Sequence, residues 1–358
     1  MSDITFRKYQ IGDEKGLTLL AKAVWRAKFN EDYWKWKYLE NPLRENFSYV
    51  ATYNNDDIVG FVGGIPWRLI VRGKELLGGQ VADMMVHPEY RKKGIFFPIN
   101  RKNLEEIKAR TRLHYGFCDP ASHRIYKKLF HYEGFHPLKM EKIINIKSFA
   151  WQALKQGKVF NSSKMLNLIP KILSSRIFLS SKNDKPLHTD LVIKRIDQFD
   201  NRFDELWKKV CMKFNITTIR DSQYLNWRYI RHPEFHYTVL GAEEDGTLSG
   251  FVVLRCEKKN AIMKGLLIDL LVDPDREMTA RFLINESLKY FRSQKVSTIV
   301  TWMFENNPIY GLLRQNGFSP RVVDKVVVQI KSFSQDVSTD YLKDTNNWYL
   351  TMGDNEVF

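Results

Sequence analysis

The chain has no run of eighteen uninterrupted apolar residues, the length a membrane-crossing helix needs. Its opening residues, MSDITFRKYQ, hold no apolar segment of the kind that directs secretion. Cysteine is scarce. Cys118, Cys211 and Cys256 stand far apart, without the close spacing that metal ligands show. These absences argue against a transmembrane or secreted protein and a bound metal, and they point to a reduced cytoplasmic setting. Acidic residues are outnumbered, 41 against 56 basic ones, for a net charge of +15. That excess favours anionic partners: a phosphorylated cofactor, nucleic acid or an acidic membrane face. It also suits a soluble protein of a basic proteome. The charge is diffuse, with no dense aromatic and basic strand of the RNA-recognition type, which weighs against nucleic acid.

What is present suffices for ordinary packed cores: 44% apolar and 13% aromatic residues in a chain of 358, a length that suggests two domains. An internal repeat gives the division. Trp36-Lys37-Tyr38-Leu39-Glu40-Asn41-Pro42 is answered by Trp227-Arg228-Tyr229-Ile230-Arg231-His232-Pro233. Phe47-Ser48-Tyr49 is answered by Phe235-His236-Tyr237, Gly60-Phe61-Val62 by Gly250-Phe251-Val252, and Gly134-Phe135 by Gly317-Phe318. Asp83-Met84-Met85-Val86-His87-Pro88 is answered by Asp269-Leu270-Leu271-Val272-Asp273-Pro274. The offset drifts only from 191 to 183 residues, in constant order, which favours duplication over chance.

The alternation of patterns agrees. In the first copy, 47–53, 58–65, 80–86 and 114–118 read as strands, and Phe96, Ile99, Leu104 and Ile107 fall on one helical face. A second helix covers 122–130. The second copy repeats the order with strands at 237–242, 250–255, 266–272 and 298–304 and helices at 279–291 and from Pro308. The expectation is an α/β fold, a mixed sheet covered by helices, in two tandem domains. The expected division is 1–140, a basic helical connector at 141–186, a second domain at 187–333 and a tail at 334–358.

The chemistry concentrates after the first copy's third strand. His87-Pro88-Glu89-Tyr90-Arg91-Lys92-Lys93-Gly94-Ile95-Phe96 is a basic, glycine-containing loop that opens directly into a helix. Free N–H groups and the helix dipole at such a point suit a pyrophosphate, and Gly94 clears space for its approach. A basic surface turn before a helix has the same pattern.

The stretch resembles motif A of the GNAT acyltransferase superfamily, a strand ending in Val followed by Arg/Gln-x-x-Gly-x-Gly/Ala. Arg91-Lys92-Lys93-Gly94 matches, and Phe96 departs from the small last residue. The superfamily's second cofactor element is similar to Cys118-Asp119-Pro120-Ala121-Ser122, then Tyr126, then Gly134-Phe135. Asp119 stands for the usual Asn, and Gly134 comes four residues late.

The resemblance implies acetyl-CoA as acyl donor and an amine as acceptor, with direct transfer and no metal. It implies contacts with the cofactor at Met85, Val86, Arg91, Lys92, Lys93, Gly94, Ile95, Phe96, Asp119 and Ser122. Val86 N–H becomes the candidate for the thioester oxygen and Tyr126 the general acid. Asp83 is the candidate base, although Asp269 repeats it; His87 and His123 are alternatives. A non-catalytic acyl-CoA-binding module and an aminoacyl-tRNA-dependent transferase remain rival readings.

The second copy lacks the cradle. Glu277 aligns with Arg91, Ala280 with Gly94 and Leu313 with Tyr126, while Asn306 keeps the Asn position. The Trp36/Trp227 motif reads as structural, with Tyr33 or Trp34 as candidate acceptor-site walls. Residues 142–183 hold eight Lys/Arg and no acid, a pattern for interdomain packing or for peripheral contact with an anionic membrane. The tail from Trp348 to Phe358 is aromatic and acidic; it reads as a surface-packed strand, with docking into the cleft as the alternative.

Overall fold

The computed structural model describes residues 4–26, 29–54, 57–145, 191–259 and 262–357. The first half opens with β1 (Ile4–Lys8), α1 (Glu14–Trp25) and α2 (Glu31–Tyr38). Then come β2 (Tyr49–Tyr53), β3 (Asp57–Val71), β4 (Lys74–Val86), α3 (Phe96–Arg110), β5 (Leu113–Cys118), α4 (Pro120–Phe130), β6 (Glu133–Phe135) and β7 (Leu138–Ile143). The second half begins with β8 (Val192–Ile196), α5 (Asn201–Val210), β9 (Ile216–Thr218), α6 (Ser222–Leu225), β10 (Thr238–Glu244) and β11 (Thr247–Lys259). It continues with β12 (Ile262–Val272), α7 (Glu277–Ser293), β13 (Thr298–Trp302), α8 (Pro308–Gln315), β14 (Ser319–Val322), β15 (Val327–Ser332) and α9 (Thr339–Lys343). Among the described residues no helix is long and apolar enough to cross a membrane.

These elements build two mixed sheets. The first has the order β1-β2-β3-β4-β5-β15-β6, with β9 beside β3; the second has β8-β10-β11-β12-β13-β7-β14. The orders correspond strand for strand, and two sheets of this kind fit tandem domains. They also exchange a strand. β7 from the first half pairs with β13 and β14, and β15 from the second half pairs with β5 and β6. Each sheet therefore needs the other half of the chain to satisfy its backbone groups.

The first sheet packs differently on its two faces. α1 and α2 lie on one, where Leu17, Trp34, Tyr38, Phe61, Tyr115, Trp227 and Tyr229 join one core shared with the second half. α3 and α4 lie on the other, over Phe47, Val62, Ile99, Ile107 and Tyr126. The repeated tryptophans meet: each indole N–H donates to the other's carbonyl, at 2.8 and 2.9 Å, with the rings stacked 4.9 Å apart. The motif thus holds the two halves together.

Sequence patterning places β2–β5, α3 and α4 and their counterparts β10–β13, α7 and α8, but not the outer elements of either sheet, and two further differences stand out. β3 runs past residue 65 to Val71, because its far end is covered by β9 of the other half, a partner that local periodicity does not show. The tail is not a surface strand. Trp348, Tyr349, Leu350 and Met352 are buried between the sheets, and Arg220 and Arg228 hold the segment from below. Arg220 pairs with Asp354 at 3.0 Å, and Arg228 donates to the carbonyls of Gly353 and Asn355 at 3.3 and 2.8 Å. The basic connector expected at 141–186 lies, from residue 146 onward, outside the described residues.

Candidate active site

β4 and β5 run in parallel for only three pairs, ending at Gln80 opposite Tyr115. Beyond that point the imidazole of His114 takes the place of the ladder: its Nε2 accepts from Val81 N–H at 3.0 Å. Burial pushes the His114 pKa down to about 3, so the ring stays neutral and keeps that acceptor. The strands then diverge. A cleft of about 850 Å³ opens between Val81–Val86 and Phe117–Asp119.

One end of the cleft is built for anions. Arg91, Lys92 and Gly94 line it, and Lys92 and Gly94 both have positive φ, 64° and 76°. Left-handed residues in such a turn aim successive N–H groups to one side. α3 then begins with no side-chain cap, leaving its first-turn N–H groups to whatever approaches. Lys93 instead lies over the Tyr90 ring at 4.4 Å and does not line the cleft. His87 N–H bonds Val59 on β3. Alternation along an antiparallel pair then turns the backbone of Val86 the other way, into the fork. Its carbonyl accepts from Arg91 Nε at 3.4 Å.

The expected site residues fall into separate groups. Ile95, Phe96, Asp119, Ser122 and Tyr126 line the cleft with the loop; the Met85 side chain points into the interdomain core. Asp119 caps α4, accepting from the N–H groups of Ala121 and Ser122 and from Ser122 Oγ, and those bonds lower its pKa. Tyr126 is buried, and its hydroxyl donates to Asn100 Oδ1. Burial raises its pKa, so it stays protonated. Asn100 is fixed in turn by donating to Phe96 O at 2.8 Å. His87 and His123 do not line this cleft, and Tyr33 and Trp34 are core residues.

Asp83 sits in a β-bulge with φ 52°, on the α1/α2 side of the sheet. Its carboxylate accepts from Lys37 Nζ at 2.7 Å and Tyr38 Oη at 2.6 Å. The second half repeats the latch: Tyr229 Oη donates to Asp269 at 3.0 Å, and Arg220 supplies the charge. Recurrence of Tyr and Asp in both copies is therefore accounted for by this contact, a phenol donating to a carboxylate that also holds a cation.

Sequence reading missed the groups that complete the cleft. Gln329, on the exchanged strand β15, lines it and accepts from Cys118 Sγ at 3.5 Å. Glu356 and Val357 arrive from the tail. Glu356 is only 5% exposed, and its Oε2 has no hydrogen-bond partner among the described residues. Burial raises its pKa to about 7; Lys37 opposes the rise and Asp83 adds to it. Among sequence signals, only the aromatic density of the tail hinted at this placement.

The equivalent fork in the second half is closed. β12 and β13 part after Leu266 opposite Val300, but Tyr349 fills the gap and donates to Leu270 O. About 60 Å³ remains, lined by Asp273 and Glu277. The α8 cap is Asn307, not Asn306 as expected, so Arg314 rather than Leu313 stands seven residues on. Neither residue offers a phenol.

Residues 5–133 match the family model of the acetyltransferase (GNAT) domain. No curated protein matches the chain by sequence. The fold is shared with a GCN5-related N-acetyltransferase from Anabaena variabilis ATCC 29413, at TM-score 0.64 and 14% identity over 92% of this chain and 73% of that one. It is shared with an Enterococcus faecalis V583 protein described as a probable N-acyltransferase, at 0.62 and 13% over 92% and 72%. Saccharomyces cerevisiae N-myristoyltransferase with bound myristoyl-CoA aligns at 0.57 and 14% over 93% and 79%. Residues 5–133, which build the open fork, thus match the GNAT acetyltransferase domain, and the chain as a whole shares its fold with these structures.

Proposed function

We propose that the chain is an N-acyltransferase that moves an acetyl group from acetyl-CoA directly to an amine, with residues 1–140 as the reacting domain and 187–333 as a diverged copy serving as scaffold. The observation that carries this reading is the fork itself: an anion cradle at one end and a buried, unpaired carboxylate at the other. The pyrophosphate rests on Arg91, Lys92 and the amides around Gly94. The pantetheine arm lies along Met84–Val86, and Val86 N–H donates to the thioester oxygen.

In the reaction, the amine nitrogen attacks the thioester carbonyl carbon. Glu356 takes the ammonium proton before attack, since only the free amine carries a lone pair, and releases it to solvent. The tetrahedral adduct collapses and the C–S bond breaks; the proton still on the adduct nitrogen passes to Glu356, the thiolate takes the proton of Tyr126, whose hydroxyl turns from Asn100, and the phenolate is reprotonated from solvent. We assign the base to Glu356 rather than Asp83, whose carboxylate is engaged by Lys37 and Tyr38.

Calorimetric titration of acetyl-CoA tests the cradle. Micromolar binding is expected, and Arg91→Glu should weaken it about a hundredfold, since a charge-assisted phosphate contact becomes a repulsion. Absence of binding to the unaltered chain would overturn the assignment. For Tyr126→Phe, the expected change is a fall in kcat of about tenfold to a hundredfold with little change in the KM for acetyl-CoA. An unchanged kcat would remove Tyr126 from the mechanism.

A further inference from the structure

The cleft has two unlike mouths. The phosphate loop, Tyr126 and Cys118 belong to the α3/α4 side. On the other side of the sheet, the lining includes Val24 and Trp25 at the end of α1, Ala82 and Asp83 on β4, Phe117 on β5, and Glu356 and Val357 of the tail. Strand alternation puts Phe117 and Cys118 on opposite faces, which fixes the division. Trp25 is 41% exposed, and Val357 is exposed beside it on the cleft. Val24, Trp25, Phe117 and Val357 therefore stand around two carboxylates: Asp83, held by Lys37 and Tyr38, and the buried Glu356, whose Oε2 is without a partner among the described residues.

Among the described residues, the cations that line the cleft, Arg91 and Lys92, both stand at the phosphate end. Lys37, the cation nearest Asp83, is fully buried and committed to it. An acceptor bearing a carboxylate or phosphate beside its amine would bring that group against Glu356 and Asp83, with no lining cation among the described residues to receive it. A sugar-like body would leave its hydroxyls against Val24, Trp25 and Phe117. An ammonium on an apolar body meets neither penalty: its charge pairs with Glu356, and its body covers the indole of Trp25.

Resting on the acyl-transfer reading above, we propose that the acceptor is a primary amine carried on an apolar or aromatic body, with no anionic group near the amine. Glu356 is its counter-ion and Trp25 its platform.

The test uses the full chain with acetyl-CoA and a thiol-release assay on three probes. Phenethylamine and phenylalanine share one body and differ by the α-carboxylate; glucosamine carries its amine on a polar body. Phenethylamine should exceed both in kcat/KM by about a hundredfold or more, because a buried like-charge contact or an unpaired polar group costs several kcal/mol. Trp25→Ala should raise the KM for phenethylamine about tenfold and leave kcat near its original value. Comparable turnover of phenylalanine, or preference for glucosamine, overturns the proposal. So does failure of every amine when calorimetry shows acetyl-CoA bound, and the cofactor reading then stands. Failure of acetyl-CoA to bind removes the acyl-transfer reading and this proposal with it.

Discussion

Glu356→Gln should lower the alkaline plateau of kcat/KM by about two to three orders of magnitude, the scale of a lost general base. It should also abolish a rise in kcat/KM centred near pH 7, where Glu356 of the unaltered chain ionises. The same substitution should stabilise the fold, and the sign follows from the raised pKa. Burial lifts the carboxyl from 4.5 to about 7, so the unfolded chain ionises more readily than the folded one. Folding then loses stability as pH rises from about 4.5 towards about 7, by about 3 kcal/mol in all. Lys37 and Arg228 moderate this loss, while Asp83 deepens it. Glutamine carries no charge and escapes the loss. Chemical denaturation at pH 8 should show the variant more stable by up to about 3 kcal/mol, with the difference vanishing below about pH 4.5. A variant that is both active at pH 8 and no more stable there would remove Glu356 from both roles.

Much of the first domain was legible because its chemistry is local. The turn Arg91–Gly94, the uncapped start of α3 and the cap at Asp119 each lie within a few residues, and the backbone follows from those residues alone. The pairing of Tyr38 with Asp83 was half legible: the repeat exposed both residues, but not the bulge that joins them. What escaped was long-range. Glu356 reaches the cleft because Arg220 and Arg228, more than a hundred residues upstream, anchor the segment before it. Gln329 reaches it because the sheets exchange strands, an event with no periodic signature. Asn100 left a faint trace as a polar residue on the inward side of an amphipathic helix, next to Ile99. Such a residue must find a partner when buried, and Tyr126 is that partner.

The same long-range anchoring makes Arg220 the most costly single truncation expected in the fold. Its guanidinium is 1% exposed and lies 3.0 Å from both Asp269 and Asp354. It also donates to Thr217 Oγ1, Thr218 O and Thr351 Oγ1, at 2.9, 3.0 and 3.1 Å. Arg220→Ala leaves two carboxylates buried together without their counter-charge, at a cost of about 3–5 kcal/mol. Because Asp354 lies two residues before Glu356, activity in the first domain should fall as well, although Arg220 sits in the second. Neutralising the whole group by Arg220→Met with Asp269→Asn and Asp354→Asn should recover most of the stability, since a buried ion cluster contributes little over a well-packed neutral one. Activity separates the two functions of the cluster. If stability returns and kcat/KM does not, the guanidinium is needed to set the path of the tail. If both return, packing of Trp348, Tyr349 and Met352 suffices to bring Glu356 to the cleft. Equal denaturation midpoints for Arg220→Ala and the unaltered chain at pH 8 would show that the tail is held by packing alone.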